Sequence, residues 1–202
     1  MTQLPDWDTV YGADAPPPWD IGRPQPVFLR LAESGVLRGH LLDAGCGTGE
    51  HTLMAAAHGA DAVGVDVSPA AIARARAKAA ERGLSARFEV GDALDLGQLG
   101  MTFDTAIDSG LFHVFDDEGR GRYVTGLASV LRSRGTCYLM CFSDLQEGTM
   151  GPRRVRQDEI VSAFSDGWTV TGIAADEFVL NSGAVTAGRP AARAWLATIR
   201  RQ

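Results

Sequence analysis

Lysine, cysteine and long apolar runs are all scarce in this chain of 202 residues. Lys78 is the only lysine, so arginine carries nearly all the positive charge, a bias that reads as genomic rather than functional. The three cysteines make no Cys-x-x-Cys pair and no Cys/His quartet, so no metal site is expected. Their odd number also argues against a disulfide framework. No run approaches the roughly 18 uncharged residues of a membrane helix. Residues 1–8 lack the basic start and apolar stretch of a signal peptide. A basic surplus is missing too: the net charge is −6, which demotes nucleic-acid binding, although an acidic protein can still reach RNA through a local patch. What is present, 45% hydrophobic residues over this length, suits one core. The expectation is a soluble, cytoplasmic, single-domain protein with no membrane or nucleic-acid partner.

Proline and aromatics dominate residues 1–26, where Pro16-Pro17-Pro18-Trp19 denies a long helix and leaves room for a short one over 6–11. Apolar spacing turns helical over 27–37, and strand-like and helical stretches then alternate. Strands are expected at 40–44, 61–67, 86–90, 103–108 and 136–142, with helices at 50–58, 118–131 and 157–164. Ser68-Pro69 starts a further helix as N-cap and first-turn proline, and Gly83 stops it. Two final strands, 168–180 and 191–199, are joined by Asn181-Ser182-Gly183 and Gly188-Arg189-Pro190 with no helix between them, so one should run antiparallel. The pattern implies an α/β, doubly wound, mostly parallel sheet with helices on both faces and an antiparallel last strand. The apolar C-terminal strand is a candidate edge for pairing, which leaves monomer and homodimer both open.

The sharpest signal is Leu41-Leu42-Asp43-Ala44-Gly45-Cys46-Gly47-Thr48-Gly49, placed where the first strand meets a helix. Glycines there permit a tight turn and close backbone approach to a cofactor at the strand's carboxyl end. Asp66 ends the second strand about 20 residues further on, where a carboxylate can accept from both ribose hydroxyls of an adenosine. Three details separate the two cofactor classes that share this layout. The glycines read Gly-x-Gly-x-Gly, not the dinucleotide Gly-x-Gly-x-x-Gly. Asp43 would crowd a pyrophosphate but suits an ammonium or sulfonium cation. Gly91-Asp92-Ala93 closes the third strand, where Asp92 could accept from an adenine amino group.

On these motifs the sequence resembles the class I S-adenosylmethionine-dependent methyltransferases over nearly its whole length, which implies a Rossmann-like sheet. The resemblance implies that Asp43, Ala44, Gly45, Gly47 and Gly49 cradle the cofactor's amino-acid end. Asp66 would hold the ribose, Asp92 and Ala93 the adenine edge and Val67 the adenine face, with Asp108 and Trp19 completing the set. The fourth strand ends Asp108-Ser109-Gly110-Leu111 and lacks the Asn/Asp-Pro-Pro-aromatic signature of enzymes that methylate nucleobase or glutamine amines. Trp7, Tyr11 and the stretch from Pro18 to Pro24 are similar to the leading segment of the thiopurine, thiol and halide branch, as are residues 151–164. That implies an aromatic lid over 1–26, folded on a methyltransferase domain spanning 27–202. The alternative is an aromatic cluster that merely packs the N-terminus down.

The implied substrate set is Trp7, Tyr11, Trp19, Arg23, Leu111, Phe112 and His113, for a small-molecule acceptor presenting a hydroxyl, thiol or nitrogen. His113 is the one histidine placed at the active end of the sheet, either as a general base or as a helix-start residue bonded to backbone. Arg153, Arg154 and Arg156 either greet an anionic substrate or form a solvated basic loop. Because the cofactor carries its own leaving group, alignment is the protein's main task. Three rivals remain: an RNA-modifying methyltransferase, a non-catalytic cofactor-binding partner subunit, and an NAD-dependent oxidoreductase.

Overall fold

The computed structural model describes residues 5–149, 151–181 and 191–202. Capping chemistry fixes several boundaries. Asp6 accepts from the N–H groups of Asp8 and Thr9 to start α1 (Trp7–Gly12), and α2 (Pro26–Glu33) opens on a proline. Ser68 accepts from Ala71 N–H ahead of Pro69, and left-handed Gly83 closes α4 (Pro69–Arg82), as its sequence signals imply. The remaining helices are α3 (Glu50–Ala57), α5 (Asp117–Val130), capped by Asp116, and α6 (Gln157–Ala163).

Seven strands form one sheet: β1 (His40–Ala44), β2 (Asp61–Asp66), β3 (Arg87–Val90), β4 (Phe103–Ser109), β5 (Leu131–Phe142), β6 (Trp168–Val179) and β7 (Ala191–Arg201). Their order is β3-β2-β1-β4-β5-β7-β6; β1 to β5 run parallel, and β7 is antiparallel to both its neighbours. The Rossmann-like α/β reading holds. One detail is corrected: the C-terminal strand is not at an edge but sits between β5 and β6, leaving β3 and β6 as the edges. The turn residues 182–190 expected between β6 and β7 lie outside the described residues.

The two-residue alternation of each strand sorts its side chains onto two apolar layers. Leu42, Val63, Ala106 and Leu139 pack with Tyr123 and Leu127 of α5 and Ile160 of α6. On the other face Leu41, Ala62, Ile107 and Met140 pack with Phe28 of α2 and Met54 of α3. A smaller cluster of Leu53, Ile72, Ala75 and Phe88 joins α3, α4 and β3. Sheet order reverses between β1 and β4, so the connections that follow them leave in opposite directions and open a crevice beyond their carboxyl ends. Among the described residues no helix is long and apolar enough to cross a membrane.

Candidate active site

Four parallel strands deliver their following residues to that crevice. Gly45 follows β1, Asp66 ends β2, Gly91 follows β3 and Ser109 ends β4, and all four line one cavity of about 1250 Å³. Ligand pockets commonly measure ~300–1,000 Å³, so this volume exceeds what one small ligand needs.

The glycine turn is held from behind. Gly45 N–H and Cys46 N–H donate to Val65 O at 2.8 and 2.9 Å, and Gly47 N–H donates to Asp66 Oδ2 at 2.8 Å. Asp66 Oδ1 accepts from Ser68 N–H at 2.9 Å. Burial pushes the Asp66 carboxyl up, while its backbone donors oppose the shift. Gly47 has φ +51°, and a Cβ there would lie 2.7 Å from the Tyr11 hydroxyl, so the position requires glycine twice over.

Above this turn sits the N-terminal aromatic cluster. Trp19 Nε1 donates to Tyr11 Oη at 3.0 Å, and the Trp7 and Trp19 rings meet edge to face at 6.0 Å. Asp8 accepts from Ser68 Oγ and Ala70 N–H, both at 2.8 Å, tying α1 to the start of α4. Thr48 Oγ1 donates to Asp20 at 2.9 Å. The Gln25 side-chain amide exchanges two hydrogen bonds with the Val179 backbone, at 2.8 and 2.9 Å, anchoring the same segment to β6.

Of the residues singled out from sequence, Trp7, Tyr11, Trp19, Arg23, Gly45, Gly47, Asp66, Val67, Asp92, Ala93, Leu111 and His113 line the cavity. Val67 is half exposed there, and Asp92 accepts from Leu94 N–H at 2.8 Å. Asp43, Ala44, Gly49, Asp108 and Phe112 are not on its wall. Asp43 lies behind the turn, accepting from Thr52 Oγ1 at 2.6 Å; its Oδ1 is buried without a partner, and burial pushes the carboxyl up to about 7. Asp108 accepts from Leu111 and Phe112 N–H and is also pushed by burial to about 7. Gly49 faces Ala75 and Phe88 instead of the cavity, and Phe112 is buried beneath the Arg120 guanidinium, 4.5 Å from its ring.

The cavity is also lined by residues that sequence reasoning passed over. Phe142 is the last residue of β5, and its ring lies 5.5 Å from that of Phe178 on β6 and 5.0 Å from His113. The rule that sites collect at carboxyl ends of parallel strands would have found Phe142. His51 also lines the cavity, so His113 is not alone there, and His51 Nε2 accepts from Gln25 N–H at 3.0 Å. Its position on the first turn of α3 after the glycines was the available signal. Burial depresses His51 to about 4 and His113 to about 3, so both rings are neutral. The three arginines separate: Arg153 pairs with Asp117 and Glu159, Arg156 with Asp158, and Arg154 lines the cavity with its guanidinium 5.4 Å from the Phe142 ring.

Comparison with known proteins agrees with this geometry. A family model described as a methyltransferase domain matches residues 41–135. The chain is 37% identical over 177 residues to the 2-heptyl-1-hydroxyquinolin-4(1H)-one methyltransferase of Mycobacteroides abscessus, covering 83% of this chain and 78% of that one. A solved structure concerned with conversion of a disulfide bond into a thioacetal group during echinomycin biosynthesis superimposes with a TM-score of 0.85 at 36% identity, over 97% of this chain and 91% of that one. The magnesium protoporphyrin IX methyltransferase of Synechocystis, solved with bound S-adenosylmethionine, shares the fold at a TM-score of 0.65 and 24% identity, over 87% and 76% of the two chains. The chain belongs to the class I S-adenosylmethionine-dependent methyltransferases. Its cofactor is S-adenosylmethionine.

The residues present fit that cofactor. Gly45 and Gly47 face the cavity with backbone alone, and Asp66 and Asp92 reach it with carboxylates suited to hydroxyl and amino donors. The buried, unpartnered Oδ1 of Asp43 makes its ionised form costly behind the turn, a cost that a cation in front of it would offset.

Proposed function

We propose that the protein methylates the hydroxyl oxygen of a small planar heterocycle or phenol, beneath a lid formed by residues 1–26 on the domain 27–202. One observation carries this reading: the cavity wall includes an aromatic cluster in which His113, Phe142 and Phe178 pack on one another. Such a wall offers ring faces and edges to a flat acceptor, through offset or edge contacts worth about 0.5–1.5 kcal/mol each beyond burial. The likeness to the hydroxyquinolinone enzyme supports the same acceptor class.

S-adenosylmethionine bound along the turn supplies a methyl group on positively charged sulfur. Asp66 and Asp92 hold the nucleoside, and Val67 lies against its base. Trp7, Tyr11 and Trp19 exclude water from above. Leu111 and Arg23 help shape the acceptor's approach. These residues align a nucleophile with the methyl, and alignment alone is worth up to roughly 7–11 kcal/mol of barrier.

A sulfur acceptor is the second reading, favoured by the structural likeness to the protein studied in disulfide-to-thioacetal conversion. A screen of hydroxyquinolines, phenols, thiols and halides, read by release of S-adenosylhomocysteine, separates the two. Hydroxylated rings should turn over and aliphatic thiols should not; turnover confined to thiols or halides rejects the oxygen reading.

A further inference from the structure

We propose that His113 is a fixed hydrogen-bond donor that recognises an anionic oxygen on the acceptor, not a base that removes its proton. The inference rests on the oxygen-acceptor reading above. Phe142 N–H donates to His113 Nδ1 at 3.0 Å. A neutral imidazole accepts at one nitrogen and donates at the other, so the proton resides on Nε2. The ring lines the cavity, and Nε2 has no hydrogen-bond partner among the described residues. The lone pair a base would need is already engaged by the backbone of Phe142.

Burial opposes any charge here, but the positive charges that oppose an imidazolium favour an anion. His113 is 6% exposed, and burial, with the positive charges of Arg120 on α5 and Arg154 before α6, pushes the ring to about 3. Glu159 of α6 pairs with Arg120 at 3.1 Å, and Glu177 of β6 also lines the cavity. The rings of Phe142 at 5.0 Å and Phe178 at 6.0 Å pack on the imidazole and hold its orientation. The acceptor class that follows is a flat ring bearing an acidic hydroxyl, such as an N-hydroxy heterocycle or an electron-poor phenol, delivered already ionised. His113 is then a positioning and specificity residue.

The test uses protein saturated with S-adenosylhomocysteine, so that binding is read without turnover. The probes are 1-hydroxyquinolin-4(1H)-one and quinolin-4(1H)-one, which lacks the N-hydroxyl. Calorimetry should show the hydroxylated probe binding about tenfold tighter or more, the scale of a hydrogen bond to a charged group. His113→Asn keeps an acceptor for Phe142 N–H but has no donor at the Nε2 position, and should lose that advantage. His113→Gln, which places an amide N–H near that position, should restore most of it. Nitrogen-15 NMR of the wild-type ring gives a readout independent of any variant: Nε2 protonated from pH 5.5 to 8, its proton moving downfield on binding the hydroxylated probe. An Nδ1-protonated ring, a ring titrating inside that window, or equal affinity of wild type and His113→Asn for the hydroxylated probe overturns the proposal and leaves the oxygen reading standing. If hydroxylated rings fail to bind while thiols do, the oxygen reading falls and this inference with it.

Discussion

The Tyr11 hydroxyl stands 2.7 Å from where a Cβ on Gly47 would lie, so the N-terminal helix rests directly on the glycine turn. α1 and the glycine turn are therefore one packing unit. Gly47→Ala should be disruptive through two routes: a left-handed backbone costs about 1 kcal/mol with a side chain, and the new methyl displaces Tyr11. Affinity for S-adenosylhomocysteine should fall about tenfold or more by calorimetry. Adding Tyr11→Ala relieves only the collision, so the double variant should bind more tightly than the sum of the single effects implies. Strict additivity would show that α1 and the turn are energetically independent.

Trp19 is 42% exposed and donates to Tyr11 Oη at 3.0 Å. Tyr11→Phe removes that bond, but water can serve the indole, so the stability cost should stay within about 1 kcal/mol. Trp19→Ala removes the same bond and the whole indole area with it. Dissociation of S-adenosylhomocysteine, followed by stopped-flow fluorescence of the remaining tryptophans, should accelerate several-fold in Trp19→Ala and little in Tyr11→Phe. Equal rates in wild type and both variants would mean that the cluster is packing alone.

Local chemistry made much of this fold readable. Ser68-Pro69 and Gly83 bound α4 in the structure as in the sequence, because capping depends on neighbours in the chain. β5 was harder: it starts at Leu131, five residues earlier than its apolar run, because polar Arg132 to Arg134 enter the strand through a register shift, with Arg134 at φ +65°. Such an irregularity is set by pairing with β4, which local pattern does not encode. In the site, Asp66 and Asp92 reach the cavity as their strand-end positions imply, whereas Asp43, Asp108 and Phe112 turn away from it. Adjacent positions on a strand or turn face opposite ways, and sequence spacing alone did not say which way each pointed. Phe178 and Gln25 come from segments remote in sequence, so only the sheet order brings them to the crevice.

Glu50 is 7% exposed and receives Lys78 at 2.8 Å and Arg82 at 2.8 and 2.9 Å. These cations hold its carboxyl below the usual range against burial, which acts in the opposite direction. Lys78 also donates to Thr48 Oγ1 at 2.7 Å, so the chain's only lysine braces the glycine turn. Lys78→Met leaves Glu50 with Arg82 and should cost about 1 kcal/mol, whereas Glu50→Ala abolishes the cluster and should cost about 2–3 kcal/mol. For a domain of this size that is a fall in Tm of roughly 4–12 °C for Glu50→Ala, measured by calorimetry. A larger loss in Lys78→Met than in Glu50→Ala would refute the ranking.

Asp43 yields a pH signature with a definite sign. Its carboxyl titrates near 7 in the fold against ~3.9 unfolded, so the native state holds the extra proton between those values. Stability from this group is full below about pH 4, declines as pH rises to about 7, and is lost above that. His51 and His113, depressed to about 4 and 3, act oppositely and lose their contribution as pH falls below ~6.5, so the wild-type profile alone conceals the term. Asp43→Asn isolates it: the amide oxygen still accepts from Thr52, and no charge forms at high pH. Without cofactor, the variant should match wild type near pH 4 and exceed it by several degrees in Tm at pH 8.5. Binding should reverse the ranking. A cation in front of the turn favours ionised Asp43, so wild-type affinity for S-adenosylmethionine should rise from pH 6 to 8 with release of a proton, and the variant's should not. A variant that binds S-adenosylmethionine as tightly as wild type at pH 8 would remove Asp43 from the cofactor site.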